Sequence, residues 1–214
     1  MKPKAKKLPH KRAYHHGDLK DQLVAAAEAI ILERGIDGFT LREAARRAGV
    51  SPAAPAHHFK DAKGLLAEVA LRGFRDFGNA LAAADAKGKT AQARLTLQGE
   101  AYVNFARAHP ARFQLMFTHA KYDHTYPNLL DTSARAFQVL EGAVRAAYCT
   151  MPMEGLSPDA YGFLIAVWSI VHGFAHLMLG GEFAGLAKQL GGDEDAILNR
   201  FLPLTLKHLP VPSR

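Results

Sequence analysis

Arg42, Arg46 and Arg47, followed after a glycine-containing turn by Ala53, Ala54, His57, Lys60 and Lys63, have types and spacing suited to chemistry on a polyanion. Arginine can grip the O6 and N7 of guanine with paired hydrogen bonds, and alanine can meet a thymine methyl. Histidine can donate or accept at a base edge or a phosphate. Arg42 is therefore the candidate for a base contact, and Ala53, Ala54 and His57 are candidates for facing a groove. Arg46, Arg47, Lys60 and Lys63 suit backbone phosphates, which supply affinity but little sequence choice. Thr40 and Ser51, at the starts of the two flanking helices, complete the set.

A second group lies far along the chain. His172-Gly-Phe-Ala-His176 sets two imidazoles one helical turn apart, a spacing that can hold a metal. Gly173 stands where a zincin-type motif would carry glutamate, and no third ligand is near, so neither a metal nor another cofactor is expected. His172 is read instead as one polar contact beside Trp168. With Phe105, Phe113, Met116 and Phe117 these two could line an apolar pocket for a small effector. The same residues at helical spacing would equally serve a core. Cys149 has no adjacent histidine, and neither a Gly-x-Ser-x-Gly elbow nor a phosphate-binding glycine loop is present, so the chain is not read as an enzyme.

The elements that must position these groups are helical. Nearly every periodic segment repeats at 3.6 residues, which makes the chain all-α. A first helix is expected over 18–34, closed by Gly35. Thr40-Leu-Arg-Glu43 reads as a capping box that opens a second helix, closed by Gly49. Ser51-Pro52 restarts a short third helix that ends near Phe59, with Ser51 as N-cap and Pro52 in its first turn. Asp61 caps a long fourth helix. Further helices are expected at 91–108, 111–121, 127–149, 158–180 and 194–208, with Pro110, Pro127 and Pro158 in first turns. Pro203 should kink or end the last helix's regular hydrogen bonding.

Helix, turn and helix within Thr40–Phe59 is helix-turn-helix geometry, in which the second helix enters a DNA major groove. Charge agrees with that placement. The 214 residues carry a net +7, and residues 1–60 hold 12 of the 27 Lys+Arg against 6 of the 20 Asp+Glu. A basic head is thus joined to a nearly neutral body. The arm from Lys2 to Arg12 could follow the duplex or enter a minor groove, or could be a solvated tail. One cysteine excludes an internal disulfide framework and suits a reducing compartment.

His15-His-Gly-Asp-Leu19, the run from Ile36 to Ser51, His57-His-Phe59 and Leu65-Leu66 together resemble the DNA-binding head of the TetR family. The resemblance covers about residues 15–70. It implies a three-helix head and a larger helical body that dimerises and usually binds a small effector. Tyr102-x-x-Phe-Ala-x-x-His-Pro-x-x-Phe-x-Leu-Met-Phe117 and Trp168-Ser-Ile-Val-His-Gly173 are similar to the C-terminal domain of the subgroup with a Trp-His-Gly signature. The chain departs from the family where a Leu-Tyr pair is common, since Pro55-Ala56 stands there. The resemblance gives that tyrosine a phosphate contact, which Ala56 cannot make. Ala62 replaces a common lysine, with Lys60 and Lys63 close by.

The expected organisation is an arm over 1–16, a helix-turn-helix domain over 17–62, and an effector-binding and dimerisation domain over 63–214. Ala160–Gly181 runs 22 residues without Asp, Glu, Lys or Arg, long enough to cross a bilayer. Its histidines, glycines and lack of a basic flank favour a buried helix, so no membrane partner is expected. The apolar stretch near residues 23–32 is likewise not a signal segment, because Glu28 interrupts it and charges precede it. Leu164, Val167, Ile170, Val171, Phe174 and Leu177, with Leu198, Phe201 and Leu202 of the last helix, are the expected homodimer interface. The reading is a cytoplasmic, ligand-responsive repressor that binds a palindromic site in double-stranded DNA as a dimer. The alternative is a metal- or ligand-binding helical protein without specific DNA recognition.

Overall fold

The computed structural model describes residues 16–149 and 155–209, and among them there are helices and turns but no strand. The head comprises α1 (His16–Arg34), α2 (Leu41–Arg47) and α3 (Ala56–Phe59). From it α4 (Ala62–Asp85) runs into a body of α5 (Ala91–Ala108), α6 (Pro110–Met116), α7 (Leu129–Ala147), α8 (Pro158–Leu179), α9 (Phe183–Gln189) and α10 (Glu194–Lys207). The all-α architecture of head and larger helical body is as expected. His16 already belongs to α1, and the rest of the basic arm lies outside the described residues.

Helix starts follow the capping chemistry of the sequence. Oxygens of Thr40, Asp61, Thr90, Ser157 and Asp193 accept hydrogen bonds from backbone N–H groups three residues on. Each satisfies a donor that the first helical turn would leave orphaned. A continuous core then joins the elements, from Leu19 and Leu23 in α1 through Leu65 and Val69 in α4 to Leu202 and Leu206 in α10. The spine is α4, which packs on α1 and α3 at one end and on α5, α6 and α7 further along. Gly99 lets α8 and α10 close over α5, because a Cβ there would lie 2.9 Å from Leu206 Cδ1 and 3.2 Å from Val171 Cγ1.

Three expectations change and one holds. The third helix begins at Ala56 rather than Pro52. Pro55 has no N–H to return to the Ser51 carbonyl, which instead accepts from Ala54 at 3.0 Å, so residues 52–55 wind as tighter turns. Ser51 consequently makes no side-chain cap. Pro127 stays outside α7, whose start is set by Asn128 in the left-handed conformation, φ 63°. Helix α10 runs through Pro203, whose missing N–H interrupts the regular hydrogen bonding as expected; the carbonyl it deprives belongs to Asn199, which is exposed and can turn to solvent. The expected helix over 111–121 ends at Met116 and is followed by a 3-10 turn, His119–Lys121.

Lys60 sits at the centre of a γ-turn, with φ 67° and ψ −58°, and the Asp61 N–H donates to the Phe59 carbonyl at 2.7 Å. Gly64 permits this, since a Cβ there would lie 1.9 Å from that carbonyl oxygen. Positive φ is costly for a lysine and free for glycine. Lys60→Gly should therefore raise folding stability by about 1 kcal/mol in urea unfolding. A loss of stability would show that the backbone at 60 carries no such strain.

Candidate nucleic-acid interface and internal cavity

The contact residues expected in the head are mostly exposed. Thr40, Arg42, Arg46, Ser51, Ala53, His57, Lys60 and Lys63 are all exposed, while Ala54 is half-buried against the core. Pro55 points inward and Ala56 outward, so the proline replaces a core side chain and the alanine leaves a bare position on the surface. The C-terminal end of α2 is turned by Gly49, φ 69°, which aims the chain back towards α3.

The arginines divide by partner. Arg47 is tied by Glu33 at 2.6 and 2.8 Å and by Glu43 at 3.0 Å, which makes it a clamp between α1 and α2 rather than a phosphate contact. Arg46 makes paired bonds of 2.8 Å to Glu43 yet keeps its side chain largely exposed. These bonds, from Arg46 first and Arg47 second, pull the Glu43 carboxyl down to about 2. Only half of the expected capping box forms, because the Glu43 oxygens go to the two arginines. Arg42 makes no hydrogen bond or ion pair among the described residues. With Thr40, Glu43, Arg46, Val50 and Pro52 it lines a shallow depression beside the turn.

The body encloses a cavity of about 520 Å³ among α4, α5, α7 and α8. Phe117, Trp168 and His172 are in its wall. Phe105, Phe113 and Met116 are instead buried core behind it. Sequence reasoning missed Phe74, Phe77, Phe137, Gln98 and Tyr102. The signal for the last two was present, since Leu95, Gln98, Gly99 and Tyr102 share one face of α5 at helical spacing. Tyr102 and His172 satisfy each other across 2.7 Å, from the hydroxyl to Nδ1. Burial, with His176 alongside, holds His172 below the usual imidazole value. The rings of His172 and His176 are 4.6 Å apart. Among the described residues no group of three or more His, Cys, Asp or Glu could hold a metal.

Cavity and head share one segment. After Phe117 and His119 in the wall, Lys121 pairs with Asp37 of the head. The Asp123 N–H then donates to the Lys63 carbonyl at 3.3 Å, and the Tyr126 hydroxyl donates to buried Glu68 at 2.8 Å. Glu68 also holds Lys20 of α1 at 2.9 Å and Arg72 at 2.9 Å. Burial alone would raise this carboxyl, but the three donors outweigh it and hold it below the usual range. Arg112 of α6 adds a second link, bonded to Glu28 of α1 and to Asp76 of α4, each at 2.7 Å.

The apolar run forms α8, the one helix among the described residues long and apolar enough to cross a membrane. Its inner stripe, including Leu164, Val167 and Val171, is 2–3% exposed and packs within the chain. Leu198 and Leu202 of α10 are equally buried. These five cannot meet a second copy, which corrects half of the expected interface. A stretch apolar on every side carries no mark of which side faces in. The outer stripe comprises Tyr161, Ile165, Trp168 and Leu177, with Leu204 exposed on α10 and Ile170, Phe174 and Phe201 half-buried.

A basic helix-turn-helix head carried on a helical body defines a non-enzymatic, DNA-binding regulator of transcription. Residues 23–69 match the family profile for bacterial regulatory proteins of the tetR family, and residues 95–202 match the tetracyclin repressor-like C-terminal domain. The chain belongs to the TetR family. It is 30% identical to a Rhodococcus sp. RHA1 protein of unknown function, with TM-score 0.72 over 93% of this chain and 99% of that one. A tetR-family regulatory protein from Rhodococcus RHA1 shares the fold at 20% identity, TM-score 0.70, over 91% and 98% of the two chains. So does a TetR family regulator from Marinobacter aquaeolei VT8, at 18% identity and TM-score 0.63, over 89% and 93%. No curated protein matches the chain.

Proposed function

We propose that this protein is a cytoplasmic homodimeric repressor whose affinity for a palindromic operator is lowered by a small molecule bound in the cavity. The carrying observation is the segment 117–126, which walls the cavity at one end and grips Asp37, Lys63 and Glu68 at the other. A ligand that fits the cavity better when this segment shifts lowers DNA affinity by its difference in affinity for the two states. The outer stripe of α8 supports the dimer. Gly162 and Gly173 flank Ile165 and Ser169 there, and a Cβ at either glycine would meet nothing within 4 Å, which leaves room for a close partner helix. Two-fold pairing presents two heads to successive major grooves.

The reading is tested by selecting bound fragments from random duplex DNA and sequencing them. Enriched inverted repeats, with half-sites about one helical turn apart, are expected. Enrichment of single half-sites or of no motif would contradict it. At the residue level, Arg42→Ala should cost on the order of 1–3 kcal/mol on the selected site and relax preference at one base position. An equal loss on every sequence would assign Arg42 to a phosphate.

A further inference from the structure

The cavity wall is selective in charge. Among its eighteen lining residues there is no Asp, Glu, Lys or Arg. Beside Gln98, Asp85 and Arg94 hold each other by paired bonds of 2.7 and 2.9 Å. His172 is already engaged with Tyr102 and held below the usual imidazole value by burial, and His119, the other histidine of the wall, is exposed to water. An anion or ammonium entering this space would lose its hydration without gaining a counter-charge, which is strongly unfavourable. The rings of Phe74, Phe77, Phe117, Phe137 and Trp168 supply flat apolar surface instead. Phe137 and Trp168, edge to face at 5.6 Å and each more than a third exposed in the single chain, mark where the cavity reaches the surface beside the outer stripe of α8.

One polar side chain of that wall, Gln98, has a buried atom without a partner. Gln98 is 3% exposed, and its amide nitrogen donates to Asp85 Oδ1 at 2.6 Å and to the Val139 carbonyl at 3.2 Å. Both partners are pure acceptors, so the amide cannot be turned over without setting oxygen against oxygen. That fixes Oε1 as the remaining group, and it is buried with no donor among the described residues. A buried acceptor left unmatched is costly, and a ligand that supplies a donor removes the penalty.

We infer that the cavity takes a neutral, largely aromatic or alicyclic small molecule bearing one hydroxyl or N–H group, whose donor Gln98 Oε1 receives. The volume suits a ligand of ordinary drug size, roughly 300–1,000 Å³ being usual for such sites. This inference rests on reading the cavity as the effector site and narrows what the effector can be. It excludes fatty acids, aromatic acids and cationic amines as good ligands.

Trp168 is the only tryptophan and lies in the wall, so its emission reports occupancy without a label. Three probes sharing one body separate the terms: 4-phenylphenol, 4-methoxybiphenyl and biphenyl-4-carboxylate. The phenol should bind about tenfold or more tighter than the ether, which lacks the donor, and than the carboxylate. In Gln98→Leu the advantage of phenol over ether should fall to near unity while the ether binds as before. A carboxylate that binds as well as the phenol overturns the neutral-ligand claim. Equal binding of phenol and ether overturns the role of Oε1, and no binding of any probe overturns the inference as a whole. The wild-type ratios decide these points even if Gln98→Leu fails to fold. Because the titration contains no DNA, its failure leaves operator binding to stand or fall on its own test.

Discussion

Replacing Phe113 by alanine is expected to lower folding stability by about 3–5 kcal/mol, the range for deleting a fully buried aromatic ring. Phe113 is 0% exposed and sits where α5, α6 and α8 meet. Its ring lies 5.7 Å from Tyr102, 5.1 Å from Phe117, 5.6 Å from His172 and 5.4 Å from His176. Edge and tilted contacts of this kind add to the burial itself. The void left would adjoin the existing cavity, whose wall includes three of those four neighbours, so little can collapse to fill it. Urea unfolding is the measurement. A loss below about 1 kcal/mol would mean that the ring is not packed as the structure has it.

If the proposed dimer pairs through the outer stripe of α8, Ile165→Glu should convert it to monomer while leaving each chain folded. Ile165 is 56% exposed in the single chain, so a charge there costs little when the chain is alone. Across a two-fold axis each glutamate would be drawn out of water against an apolar face, close to its own copy. The penalty is on the order of 3 kcal/mol or more per dimer. Sedimentation should show the mass halved at micromolar concentration, with helical content unchanged. DNA affinity should fall with it, since the second head no longer binds as a tethered partner. A variant that still sediments as wild type would move the interface away from the outer stripe of α8. The contrasting substitution Leu164→Glu, on the inner stripe, should unfold the chain instead.

The residues that were legible in sequence are those whose signal is local. Thr40, Asp61 and Ser157 mark helix starts because a side-chain oxygen three residues before a backbone N–H is sufficient to make the cap. Glycines 35 and 49 mark ends because only glycine takes φ near 70° freely. What stayed hidden depends on partners distant in the chain. Arg47 looks like its neighbour Arg46 until α1 brings Glu33 to it. Phe113 and Phe117 lie one helical turn apart and share a periodicity, yet one is core and the other cavity wall. The sides of α8 are alike in composition, so only the packing of α5, α7 and α10 decides which stripe remains outside. Helix α9 is only seven residues long, between glycine pairs at 180–181 and 191–192, too short for a periodic signal.

Pro55-Ala56 gives the recognition face its particular character. The proline shortens α3 to a single α-turn, and the alanine removes a polar group from its exposed side. In the proposed reading binding leans on Arg42, His57, Lys60 and Lys63, which are exposed, while Arg47 and Arg72 are consumed by internal pairs. A smaller number of phosphate contacts implies a shallower dependence on salt than a head using every one of its cations.

That dependence is also the most direct test of the central claim. The affinity of the dimer for the selected inverted repeat and for a scrambled duplex of equal length should be titrated against salt concentration. Both logarithmic plots should fall linearly, by about 0.9 per phosphate neutralised. The inverted repeat should remain tighter by about a thousandfold or more throughout. Affinity that ignores salt, or that is equal for the two duplexes, would contradict the reading of this chain as an operator-binding regulator.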